Sequence, residues 1–170
     1  MSASWWILSN FSVFNSSRAI LVENSSDVVL TNLDVSHTLH SAVRIRNNST
    51  RILFENNHIS YTGRGEANNG EALYMGTSIS HWKNNSPDRT NKITVQNNYF
   101  GPNVTSESID IKEGTDSILI QNNRINGSGM QDENYSLTWI SVKGTGCTIQ
   151  NNTGIYSVQD GFTVIVLKLF

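Results

Sequence analysis

The sequence predicts an all-β fold, a right-handed parallel β-helix: a solenoid of about six coils with one loop insertion. Three observations lead there. An Asn-centred motif recurs along the chain, a strand of period two recurs between its copies, and the composition favours strands and turns over helices.

The composition sets the frame. Of 170 residues, 37% are hydrophobic and only 15% are charged, where an ordinary soluble chain carries about a quarter. Neutral polar residues must cover the surface instead, and Asn alone supplies 22. Asn, Ser and Thr compete with a helical backbone for its hydrogen bonds, so this mixture suits turns and strands.

The motif is a few alternating apolar residues, then Asn, then a short apolar pair. It appears as Val29-Leu30-Thr31-Asn32-Leu33-Asp34-Val35 and as Leu119-Ile120-Gln121-Asn122-Asn123-Arg124-Ile125. The Asn falls at positions 10, 32, 56, 97, 122 and 151, in steps of 22, 24, 41, 25 and 29. Steps in the low twenties are single turns of a three-sided solenoid. The long step is one turn with an insertion, at about 61–90. Asn suits a tight corner because it tolerates left-handed backbone geometry, and stacked amides can bond coil to coil.

A second strand lies between the motifs, as in Ala42-Val43-Arg44-Ile45-Arg46 and Ser108-Ile109-Asp110-Ile111-Lys112. Alternation gives an inward set: Ile20 and Val22, Val43 and Ile45, Leu73 and Met75, Ile109 and Ile111, Ile140 and Val142. All are apolar. The whole chain, 1–170, then reads as one β-helix domain. The tail 156–170 is atypical, reading as a final strand, a plug or a truncated end, and no capping helix precedes Ile7.

Several function classes recede. A net charge of −2 disfavours phosphate-driven nucleic-acid binding. No apolar run is long enough to span a membrane. The first residues lack the basic start and apolar stretch of a signal peptide. Cys147 is the one cysteine, so no internal disulfide forms, and it reads as a small core residue.

The outward residues of the second strand should stack into one ribbon. Coil by coil they are Leu21 and Glu23, Arg44 and Arg46, Tyr74 and Gly76, Asp110 and Lys112, Ser141 and Lys143. Glu71 and Glu107 align beside it, each four residues before its inward Met75 or Ile111. The ribbon reads as a groove for a linear acidic polysaccharide. Arg44, Arg46, Lys112 and Lys143 would hold anionic groups, and Tyr74 and Trp82 would offer aromatic faces to sugars. Glu113 is grouped with the substrate-binding residues. The competing reading is a solvated ladder of alternating charges.

On these repeats, over about residues 7–155, the chain resembles the right-handed parallel β-helix proteins of the pectate-lyase-like superfamily. Glu107 followed five residues later by Lys112 is similar to the catalytic strand of alginate- and chondroitin-type lyases. That resemblance implies β-elimination on a uronate-containing polysaccharide, with Lys112 as base and a nearby Arg assisting; Asp110 and Lys143 are grouped with Lys112 as catalytic candidates. It also implies calcium, with Glu71 and Glu107 as ligands. The match departs in placing Lys143 where those families place an Arg. The alternatives are a non-catalytic carbohydrate-binding or adhesive solenoid, and a glycoside hydrolase of polygalacturonase-like architecture. For either, an extracellular or cell-surface monomer is expected, with His81 of the insertion as a further candidate base.

Overall fold

The computed structural model describes residues 3–131 and 138–165. Among them are sixteen strands: β1 (Ala3–Phe14), β2 (Ile20–Glu23), β3 (Ser25–Ser36), β4 (Val43–Arg46), β5 (Thr50–Glu55), β6 (His58–Ser60), β7 (Leu73–Met75) and β8 (Asn91–Gln96). They continue as β9 (Tyr99–Phe100), β10 (Ile109–Ile111), β11 (Asp116–Gln121), β12 (Arg124–Asn126), β13 (Ile140–Val142), β14 (Thr148–Gln150), β15 (Thr153–Ile155) and β16 (Phe162–Val164). Every pairing between them is parallel and joins successive coils.

Three faces result. The first stacks the leading parts of β1 and β3 with β5, β8, β11 and β14, and the second stacks their trailing parts with β6, β9, β12 and β15. The third stacks β2, β4, β7, β10, β13 and β16, giving six rungs. The corner between the first two faces is the recurrent Asn. Asn10, Asn32, Asn56, Asn97, Asn122 and Asn151 all have φ between 54° and 60°, the left-handed geometry that Asn accepts at low cost.

The stacked amides belong to the next residue. Leu33 N donates to Asn57 Oδ1 at 3.0 Å, Asn57 N to Asn98 Oδ1 at 2.9 Å, and Asn98 N to Asn123 Oδ1 at 3.0 Å. Asn123 N continues the ladder to Asn152 Oδ1 at 2.9 Å. Each of these Asn also donates through Nδ2 to a carbonyl of the preceding coil: Leu30, Phe54, Val95 and Ile120. A second left-handed column runs through Trp5, Asp27, Arg51, Lys92, Ser117 and Gly146 on the first face.

The ten inward residues of the third face are all buried, joined by Phe54, Phe100 and the branched aliphatics of the other faces. Burying an Ile or Leu side chain contributes about 1.5–3 kcal/mol, so each coil adds a comparable increment to the column. The tail resolves in part: Phe162–Val164 is a regular sixth rung beside β13, while 166–170 lie outside the described residues. The 61–90 insertion is two excursions divided by β7. One, at 61–72, leads onto the third face, and the other, at 76–90, leaves it.

Buried Asn98 and exposed Asn97 should therefore respond oppositely to truncation. Asn98→Ala leaves the Asn57 N–H and the Phe54 carbonyl of the preceding coil unsatisfied and should lower the unfolding free energy by about 2–3 kcal/mol. Asn97→Gly keeps the left-handed turn and should change it by less than about 1 kcal/mol. Chemical denaturation of both variants checks the contrast.

Candidate functional site

The ribbon has the register the sequence predicts, but Asp110 and Ser141 in it are buried and not open to solvent. Leu21, Arg44, Tyr74, Asp110, Ser141 and Thr163 lie in consecutive register along the third face. Residues 36 apart in sequence, Tyr74 and Asp110, thus sit one strand spacing apart, about 4.8 Å. Glu71 and Glu107 are neighbours as expected, with Ala72 N donating to the Glu107 carbonyl at 3.2 Å.

Above the ribbon is a cleft of about 810 Å³. Its floor holds Arg44, Arg46, Glu71, Tyr74 and Lys112, and its walls come from both excursions, through Glu66, Asn68 and Asn69 on one and His81, Trp82 and Asp88 on the other. The second wall is fastened at its ends. Asp88 accepts hydrogen bonds from Asn47 N (2.7 Å), Asn48 N (2.9 Å), Thr77 Oγ1 (2.7 Å) and Thr90 N (3.0 Å). Burial pushes its carboxyl up, but these donors outweigh burial and hold it below the usual value. Trp82 Nε1 donates to the Thr77 carbonyl at 2.8 Å.

Beneath the cleft floor lies an acidic cluster. Carboxylate oxygens of Glu71, Glu107 and Asp110 all lie within 4.8 Å of one another, and all three residues are buried. Asp110 faces two ammoniums: Lys112 Nζ forms a short ion pair with Oδ2, and Lys143 Nζ approaches Oδ1 at 3.2 Å. Lys112 Nζ also lies 4.9 Å from the Tyr74 ring centroid, and Arg44 Cζ lies 4.7 Å from it. The phenol is thus flanked by two cations, within the range where such contacts contribute.

This charge balance decides the protonation states. Burial disfavours the Lys112 ammonium, but Asp110, Tyr74 and Glu107 outweigh it and raise its pKa above that of free lysine. A lysine base needs the opposite shift. Burial first, and then Asp110, raise Glu71 to about 7; burial and Asp110 also raise Glu107. Burial raises Tyr74 above the usual phenol, against the pull of Lys112 and Arg44. Burial and nearby Arg18 lower Arg44.

The other expected residues divide. Arg46 lines the cleft but is already paired with Glu23 at 2.6 Å. Trp82 lines the cleft wall, whereas Lys143 meets Asp110 from the next coil. Glu113 is a correction. It is buried and accepts a hydrogen bond from Ile79 N at 3.0 Å, so it anchors the second excursion and is not among the residues that line the cleft. Glu71 and Glu107 converge as a metal site would require, but two ammoniums already hold the third carboxylate. Calcium takes six to eight oxygen ligands, and this lysine-balanced cluster does not fit it. Sequence reasoning missed Arg18 and His40. Arg18 could have been found, since it lies two residues before inward Ile20 as Glu71 lies two before Leu73.

Glu71 carries a pH signature. Its pKa rises from 4.5 to about 7 on folding, so the folded state holds a proton that the unfolded chain has lost. Stability should fall as pH rises from about 4.5 to 7 and then level, a change of order 3 kcal/mol. Glu71→Gln should flatten the unfolding free energy across that window and be the more stable form at pH 8, measured by denaturation at several pH values.

The fold is similar to that in the crystal structure of alginate lyase from Paenibacillus sp. str. FPU-7, with a TM-score of 0.84 and 28% sequence identity. The match covers 90% of this chain and 51% of that one, so the chain spans about half the length of its structural neighbour. No protein-family model matches the sequence, and no curated protein matches it. Register, faces and this neighbour together make the chain a parallel β-helix protein of lyase-like architecture.

Proposed function

We propose that the third-face cleft binds a uronate-containing polysaccharide and cleaves it by β-elimination. The observation that carries this reading is Tyr74 held between Arg44 and Lys112 at 4.7 and 4.9 Å, on the floor of a long cleft. The structural neighbour is an alginate lyase, which supports the substrate class.

The chemistry follows from the charges. A uronate C5 proton is weakly acidic until the adjacent carboxylate is neutralised. Lys112, fixed in its charged form by Asp110, and Arg44 supply that neutralisation. Tyr74 transfers the proton: burial keeps its phenol above the usual value, so the phenolate fraction, reached by loss of a proton to solvent and favoured by the same two cations, takes the proton from C5. The C5–H electrons become the C4–C5 double bond, the C4–O bond breaks, and the departing oxygen takes the proton back from Tyr74. Glu71, Glu107 and Lys143 act through Asp110 as positioning residues. Hydrolysis by paired carboxylates has less support, since all three acids are buried and Asp110 is held by two lysines. A polysaccharide substrate also suits an extracellular or cell-surface setting.

The test is ultraviolet absorbance of the unsaturated product on alginate, pectate and chondroitin, with and without a chelator. Activity on at least one polymer, unaffected by chelation, is expected. No absorbance on any of them, or strict calcium dependence, would contradict the proposal. Tyr74→Phe should lower kcat by at least about a hundredfold. Lys112→Arg keeps the charge and should retain activity within about tenfold, while Lys112→Ala should lose about a hundredfold or more. Equal loss in both would return the base role to Lys112. Because burial raises Tyr74, the rate should climb with pH from 7 to 9.5, about tenfold per unit at most.

A further inference from the structure

A second groove runs along the Asn corner, away from the cleft. It has a volume of about 670 Å³ and crosses five coils. One wall is the exposed side chains of Asn10, Asn32, Asn56, Asn97 and Asn122. The other is the second-face column Ser12, Asp34, His58, Tyr99 and Arg124, which is continuous in register.

The two sets of Asn residues at this corner do different work. The buried Asn57, Asn98 and Asn123 spend their amides on the coil ladder. The left-handed turn accounts for Asn as a residue type at the five exposed positions, but it does not use their amides. None of those five side chains has a hydrogen-bond partner among the described residues. Each therefore presents a free donor pair and a free acceptor, repeated at every coil. Four coil rises of about 4.8 Å place them along roughly 19 Å.

Within the opposite wall, His58 and Tyr99 stack with centroids 5.2 Å apart. Tyr99 keeps 37% of its surface exposed, so part of its ring is open to the groove. The formal charges of the wall cancel: Asp34, 3.4 Å from the His58 ring, lies in the second coil and Arg124 in the fifth. A regular row of neutral amides beside an aromatic plane matches hydroxyl groups and sugar faces, whereas a polyanion would find one arginine here against several cations in the cleft.

We propose that this groove is a second, non-catalytic glycan site, which holds a linear, uncharged, hydroxyl-rich polysaccharide along the solenoid axis. It stands independently of the activity assigned to the cleft. It would let the protein rest on a neutral polymer while the third face remains open.

The test is calorimetric titration of the full chain with β-1,4-linked mannohexaose, and in parallel with hexamannuronate. The double variant Asn56→Gly/Asn97→Gly removes two amides and keeps the left-handed turns; Tyr99→Ala removes the aromatic plane. Mannohexaose should bind the native chain with little dependence on salt, and each variant should weaken it by about tenfold or more. Circular dichroism should show both variants folded. Failure of mannohexaose to bind, or unchanged affinity in the double variant, would overturn the proposal. So would binding of hexamannuronate alone in a salt-sensitive manner, which would place all glycan recognition in the cleft.

Discussion

Register between coils is the constraint on which everything else depends. Each parallel rung fixes its neighbour at one strand spacing, and side chains alternate in and out with period two. A slip of one residue in any coil would carry its outward charges into the core. The apolar inward set and the Asn ladder prevent that slip from two sides: one by burial, the other by hydrogen bonds that leave no buried amide unmet. Length variation is therefore pushed into the turns. The long third coil keeps β7 as an ordinary rung and spends its extra residues on two excursions, which become the walls of the cleft.

That register is also why so much charge can gather at one buried place. Glu71, Glu107 and Asp110 come from two successive coils, Lys112 and Lys143 from the ends of two successive rungs. Isolated burial of any of them would be costly, and Asp110 is tolerated because Lys112 on its own coil and Lys143 on the next supply the opposite charge. The arrangement holds the Lys112 ammonium on the cleft floor beside the Tyr74 ring. A chain with few charged residues has gathered five of them where successive coils hold them together.

The fold was legible because its signals are periodic. Asn at six corners and alternation at five rungs report backbone geometry directly, so residue type and structure correspond. The second left-handed column was not legible: Trp5, Asp27, Arg51, Lys92, Ser117 and Gly146 share a conformation but no chemistry. The ribbon was legible for the same periodic reason, and Arg44, Tyr74 and Asp110 fall where alternation puts them. Glu113 fails because the strand ends at Ile111 and the chain turns through Gly114 at φ 83°; alternation no longer tells inside from outside there. The charge state of Lys112 was not legible either. It depends on how burial competes with a short ion pair, and only coordinates give that balance.

The two grooves make one molecule of different sides: a charged, walled cleft on the third face and a neutral, open channel on the Asn corner. The account stands or falls on where an acidic sugar chain lies. A crystal structure of the Tyr74→Phe variant with a uronate oligosaccharide tests it most directly. The account predicts the chain in the third-face cleft, with one carboxylate against Arg44 and Lys112 and its C5 facing position 74. A uronate seated elsewhere, or one in the cleft with its carboxylate turned away from both cations, would contradict it.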